Sequence, residues 1–401
     1  MSGQINFGPV TGPSILPVRQ SAGAATWGFS AAGAVAMATA YFLAAKLSLA
    51  LLEEADGVAV FWPAAGIASG VLIGFGSVAR WPVVAGVMAA TIAANLLGDR
   101  GIWSSIFFAA ANAGEAAVVA SLIQRFYSSP FELNGLRQVL GLFASTIGAT
   151  ITSGIVGTFG FVFFHASTAS VSTIWFHWFA SDALGTITIA PLIIGFASLL
   201  REFPSRREIA EGMLALAVVT ALCSSLILIP NRTWTFDLVI AALCPLIVWI
   251  AARLPPFFTA AATFICAITI VWTTTFGIGV FGDPRLSMDQ RILYAQATIL
   301  AISFGALIIA ALFSERGLHE IALLEREARL QDALRAGGVL AFDWELPADE
   351  VRHSQNATQT LGIESNQVLS SLPLMRVGVH PFFAIFVHKL ITLMPQGLLR
   401  K

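Results

Sequence analysis

The chain has 401 residues, of which 57% are hydrophobic and 11% charged, with a mean hydropathy of +0.80. Soluble domains carry roughly a quarter charged residues, so this composition excludes a soluble enzyme and a disordered protein. A formal net charge of −1 and a pI near 6.6 leave no basic footprint for nucleic acid.

Charge is unevenly spread. Residues 27–314 hold 25 Asp, Glu, Lys and Arg, whereas the much shorter stretch 315–401 holds 19. The chain therefore reads as a lipid-embedded part followed by a water-exposed part. Residues 1–26 carry a single charge, Arg19, and are rich in Gly, Pro and Ser. They read as a flexible N-terminal tail without the features of a cleaved signal peptide.

A membrane helix needs roughly 20 mostly apolar residues. Ten segments qualify as candidates: 27–50, 58–76, 81–98, 102–124, 139–164, 171–200, 211–229, 234–252, 257–280 and 291–314. In hydrocarbon the backbone must pair within each segment, so helices are required. The segments at 58–76 and 81–98 are short and rich in Gly and Pro, which leaves eight to ten spans. Lys and Arg concentrate on the cytoplasmic side of a membrane. With ten spans and the N-terminus inside, Arg19, Arg80, Arg125, Arg137, Arg201, Arg206, Arg207 and Arg253 fall inside. Arg100, Arg232 and Arg285 fall outside, with Arg291 at a boundary and an acidic first loop, Glu53-Glu54-Ala55-Asp56. This bias places both termini in the cytoplasm. Cys223, Cys244 and Cys266 sit at irregular spacing in apolar runs. They form neither a disulfide framework nor a metal site and read as small buried hydrophobes.

Ionisable groups inside hydrocarbon are expensive and need a reason. Glu115 lies mid-span, with Asn112 three residues earlier on the same helical face. Asp182 shares a face with Trp178, while His177 points partly aside. Asn95 lies near the end of the third span, and Lys46 is placed to snorkel outward. Two readings stay open for this set. In the first, these groups hydrogen-bond between helices and fix the bundle. In the second, Asn95, Asn112, Glu115, His177, Trp178 and Asp182 line a ligand or proton site. His165, in a predicted outer loop, reads as solvated. Gly66 and Gly70 are four apart and predict close helix packing.

These residues also carry a family resemblance. The run Val60-Phe61-Trp62-Pro63-Ala64-Ala65-Gly66-Ile67 resembles the opening signature of the type-one membrane-associated sensor family (MASE). Gly76, Arg80, Trp81 and Pro82, with Asn95 downstream, continue it. Trp175, Trp178, Asp182, Gly185 and Pro191 resemble its second landmark. The resemblance covers about 30–314. It implies an integral membrane sensory module of the bacterial inner membrane, placed ahead of a cytoplasmic histidine kinase, diguanylate cyclase or phosphodiesterase output. The family's ligand is undefined, so Trp178 and Asp182 carry over only as motif positions.

Residues 315–336 are rich in strong helix formers. Leu323, Leu330 and Leu334, or Ile321, Leu324 and Ala328, form stripes that suit a two-helix seam; a single amphipathic linker helix is the equal alternative. After Gly337-Gly338, residues 339–346 alternate as a strand, 347–350 form a turn and 351–354 a second strand. Residues 337–381 resemble the start of a PAS domain. Residues 382–401 contain no acid and two of the three lysines in the chain, Lys389 and Lys401. That shift reads as an aberrant, frameshifted tail, against a tail lying on the membrane.

The expected architecture is an all-α polytopic membrane helix bundle of eight to ten spans, with a linker helix and an incomplete α/β PAS-like fragment. No catalytic motif, metal site or cofactor site is visible, and the output domain is expected to be missing. The expected partners are membrane lipids, an unidentified small stimulus and a second copy joined through 315–336. The competing reading is a small-molecule or ion transporter.

Overall fold

The computed structural model describes residues 23–51, 59–76, 80–165, 170–228, 233–339, 341–345 and 350–353. Each of the ten apolar segments forms one α-helix. In chain order these are α1 (Gly23–Leu51), α2 (Pro63–Phe75), α3 (Arg80–Leu96), α4 (Ile102–Phe126), α5 (Leu136–Phe164), α6 (Val171–Arg201), α7 (Arg206–Leu228), α8 (Thr233–Arg253), α9 (Pro256–Thr275) and α10 (Met288–Gly337). Among the described residues, seven are long and apolar enough to cross a membrane: α1, α4, α5, α6, α7, α9 and α10. The protein is a multi-pass membrane protein. Helices α2 and α3 have 13 and 17 residues. At 1.5 Å per residue they run about 20 and 25 Å, short of the ~30 Å hydrocarbon layer.

Local chemistry sets the helix ends. Pro63 and Pro256 open α2 and α9, where a missing N–H costs nothing. Ser170 caps α6 by accepting from the Thr173 N–H at 3.2 Å. Gly76, at φ 74°, turns the chain out of α2. The Arg201 guanidinium donates to the Gly74 carbonyl and lies 3.9 Å from Glu132, so it serves the free carbonyls at that end of α2.

The chain divides into two compact units, residues 1–315 and 316–401. In the first, α6 is the central helix. Its most extensive contact is with α2, and α5 and α9 also pack on it. That contact depends on small residues. A Cβ on Gly66 would land on the Gly185 carbonyl, and one on Gly185 would land on the Trp62 carbonyl. A Cβ on Gly70 would lie 2.9 Å from the Ile193 Cβ. The face predicted from Gly66 and Gly70 thus lies against α6, with Gly74 as its third member 3.1 Å from the Ala197 Cβ on the same terms. A second apolar core joins α7, α8 and α9 around Val219, Leu243, Ile250 and Phe258. Residues 288–315 of α10 dock through Gln296, whose amide donates to the Val60 carbonyl at 3.0 Å, and through Phe304 against Phe143.

The second unit contains the remainder of α10 and a hairpin of β1 (Phe342–Glu345) and β2 (Glu350–His353). The strands are antiparallel, in a register that pairs Phe342 with His353 and Glu345 with Glu350. Leu318, Ile321, Leu323, Leu324 and Leu330 are exposed on the helix. Residues 354–401 lie outside the described residues. So do the tail to residue 22, the acidic loop at Glu53, Glu54 and Asp56, and Arg232.

Candidate functional site

Helices α1, α3 and α5 end where α2, α4 and α6 begin. At that end of the first unit a cavity opens among residues of α1, α3, α4, α5 and α6 and Trp62, the residue that precedes α2. Leu49, Trp62, Asn95, Arg100, Phe108, Asn112, Phe161, Trp178, Ser181 and Asp182 line it. It leaves about 40 Å³ for the centres of water-sized molecules, enough for two or three waters or a ligand of similar bulk. Asn112 and Asp182 are each about ten residues into their helices, so the floor lies about 16 Å below the helix starts.

The rim is set by Asn95. Its amide donates to the Thr91 carbonyl at 2.9 Å, and its side-chain oxygen accepts from the Arg100 guanidinium at 2.9 Å. Its backbone carbonyl accepts from the N–H groups of Gly98 and Arg100. Asp99, at φ 59°, completes the reversal. This tight turn holds the Arg100 guanidinium over the rings of Phe108 and Phe161, at 5.9 and 5.4 Å from their centroids. His165 packs on the same two rings, 5.9 and 5.0 Å away. It is half-buried rather than solvated as its loop position suggested: aromatic packing outweighed its polarity. Burial, and after it the charge of Arg100, hold its pKa below the ordinary histidine value.

Below the rim a hydrogen-bonded set ties the helices together. The Tyr41 hydroxyl, fully buried on α1, accepts from Thr91 of α3 at 3.2 Å and from the Asn112 amide of α4 at 3.1 Å. Trp62 also stands against this hydroxyl. The Trp62 N–H donates to the Ser181 carbonyl at 3.3 Å, which ties the start of α2 to α6. Trp178 donates its indole N–H to the Ser153 hydroxyl at 3.0 Å, and its ring fills the space left by Gly157.

The carboxyl groups of Glu115 and Asp182 lie against each other, with Ser153 beside the first. Both residues are about 95% buried. Among the described residues, neither Glu115 oxygen, nor Asp182 Oδ2, nor the Ser181 hydroxyl meets a hydrogen-bond partner. Buried polar groups are almost always paired; the groups within reach here are Ser153 and Asp182 for Glu115, and Glu115 and Trp178 for Asp182.

The structure therefore brings together five of the six residues singled out from the sequence. Asn95, Asn112, Trp178 and Asp182 line the cavity, and Glu115 abuts Asp182. His177 is half-buried and is not among the lining residues. Of the motif residues, Trp62 lines the cavity, while Pro63, Gly66 and Gly185 shape the α2–α6 contact. Pro191 is buried further along α6. Trp81 and Pro82 lie at the far end of α3 from Asn95, with Trp81 exposed. Tyr41, Ser153, Ser181, Phe108 and Phe161 escaped the sequence reading. Tyr41 offered one signal, as one of only three tyrosines in the chain.

A family model, MASE1, matches residues 33–317. No curated protein and no solved structure matches the chain.

Proposed function

The chain belongs to the MASE1 family, and from that premise we propose that it is the membrane sensory module of a bacterial signalling protein, receiving a small stimulus in the cavity at Asp182. The observation that carries this reading is the cavity itself: Asp182, an ionisable residue deep in the bundle, lines it, with Glu115 behind. A charged group at such depth costs about 3 kcal/mol on insertion scales, so its retention points to function. The loop-charge bias supports an inner-membrane location with both termini in the cytoplasm and the cavity mouth facing outward. Ten crossings fit that orientation, with the short α2 and α3 completing their crossings beside longer neighbours. The exposed leucines of α10 support pairing with a second copy through residues 315–336. In this reading the hairpin at Phe342–His353 opens a PAS domain that leads to a kinase or cyclase output, and no residue of this chain is assigned a catalytic role.

A stimulus switches such a module only if it binds two packings of the bundle with different affinity. The test uses the full chain in nanodiscs, with a fluorophore on Leu330→Cys in a background lacking the three native cysteines. Small solutes that enter the cavity are expected to change the signal, and Asp182→Asn is expected to abolish the change. A signal unmoved by every solute, or unaltered by Asp182→Asn, overturns the reading. Labelling of residue 330 from outside intact cells overturns the orientation.

A further inference from the structure

We propose that Cys223 and Cys266 are a reversible dithiol–disulfide couple, oxidised by a membrane-soluble quinone, that locks α7 to α9. The couple is independent of the sensory reading of the cavity.

Two of the three cysteines in the chain meet across 43 positions, with both residues buried and their sulfurs 4.0 Å apart. The two helices are built to approach closely here. Gly212, Ala215, Val219 and Cys223 form the buried face of α7, at spacings of three, four and four residues. Phe258, Ala262 and Cys266 lie in the same core, four residues apart along α9. A Cβ on Gly212 would overlap the Phe258 ring, so its absence lets the helices come together. A disulfide holds its sulfurs about 2.05 Å apart. About 2 Å must therefore close, which rotation about the two Cα–Cβ bonds supplies between helices packed this tightly. Packing alone calls for small apolar side chains, such as Ala215 and Ala262 in the same faces, and gives no reason for two sulfurs side by side. Cys244, on α8, is exposed and is not part of this pair.

Burial selects the oxidant. Both α7 and α9 are long and apolar enough to cross a membrane, so the thiols lie where a charged disulfide such as oxidised glutathione does not enter. An uncharged quinone dissolves in that layer. In the reaction both S–H bonds break and one S–S bond forms. The two electrons and two protons released pass to the quinone, which becomes a quinol. The neighbouring thiol assists the first step, because its S–H donates to the sulfur that has lost its proton. The bond fixes α7 on α9 in the core that also receives Ala306 of α10, the helix that runs on into residues 316–336.

The test uses the unaltered full-length protein in nanodiscs, treated with tetramethyl-1,4-benzoquinone, which has no open ring carbon for a thiol to attack. Samples are then unfolded, alkylated with N-ethylmaleimide and weighed by mass spectrometry. The alkyl count is expected to fall from three to one and to return to three after reduction with dithiothreitol. With oxidised glutathione in place of the quinone it is expected to stay at three. Peptide mapping is expected to find the bond between Cys223 and Cys266, and the unfolding midpoint is expected to rise by a few degrees. Cys223→Ala and Cys266→Ala are each expected to keep both remaining labels after quinone treatment; the counts on the unaltered protein stand even if a variant fails to fold. A count that stays at three with quinone overturns the proposal, as does a bond that involves Cys244. Oxidation by glutathione at the rate of the quinone overturns the membrane-soluble oxidant, and a bond that leaves the midpoint unchanged overturns the lock.

Discussion

In α9, Thr263, Thr269, Thr273 and Thr274 each donate their hydroxyl to a carbonyl three or four residues back in the same helix. In α1, α5 and α6 Ser48, Thr150 and Thr188 bond back in the same way, but this part also has buried polar contacts that cross between helices: Thr91 and Asn112 to Tyr41, Trp178 to Ser153. The core that joins α7, α8 and α9 is apolar, down to two buried thiols, Cys223 and Cys266, whose sulfurs are 4.0 Å apart. A hydroxyl satisfied within its own helix does not tie that helix to a neighbour. Helices joined through shared hydroxyls have preferred positions. The α1–α6 part is thus held by shared polar contacts as well as packing, and the α7–α9 part by packing alone.

The sharpest way to break this contrast is at the α2–α6 contact. Gly185→Leu drives a side chain into the Trp62 carbonyl, and overpacking of this kind costs about 1–3 kcal/mol or more. The variant is expected to yield little folded protein by size-exclusion chromatography in detergent. Gly305→Ala, in open space on α10, is expected to unfold at or slightly above the parent temperature, since Ala favours helix by up to about 1 kcal/mol. Trp178→Phe removes an interhelical hydrogen bond worth about 0.6 kcal/mol in membranes and should lower the unfolding midpoint measurably. Thr273→Val, which removes only an intrahelical bond, should leave the midpoint near the parent value. Equal losses for these two variants would erase the distinction between the regions.

The smallest effect belongs to His165. Its folded pKa lies below its ordinary value of about 6.5. Between those two values the unfolded chain binds more protons than the folded one. The stability contributed by the neutral ring is therefore complete above pH 6.5 and is lost as pH falls through that window. A thermal midpoint that declines from pH 7 to pH 5 is expected, with a shallower decline in His165→Phe.

Much of this fold is legible in the chain as written. Unbroken apolar runs of adequate length have no alternative to helix in lipid, so all ten helices could be placed. Helical spacing also paired Asn112 with Glu115 and Trp178 with Asp182. The same rule explains why His177 lies off the cavity: five residues at 100° each carry it about 140° away from Asp182. Partner choice was not legible. Gly66 and Gly70 announce a close approach without naming Gly185 as the surface approached. Tyr41 meets Asn112 across 71 positions, and a lone tyrosine in an apolar run reads as filler until its hydroxyl is seen to be shared. Arg100 was visible as a loop charge, but its place over Phe108 and Phe161 depends on the turn that Asn95 builds.

The brevity of α2 has a consequence for biosynthesis. Ten of its 13 residues are buried, and a segment of that length is a weak signal for insertion in its own right. The surface that matches its glycines belongs to α6, which leaves the ribosome roughly a hundred residues later. Final seating of α2 must therefore await a helix not yet made when α2 first emerges, and assembly of the domain cannot simply follow the order of synthesis.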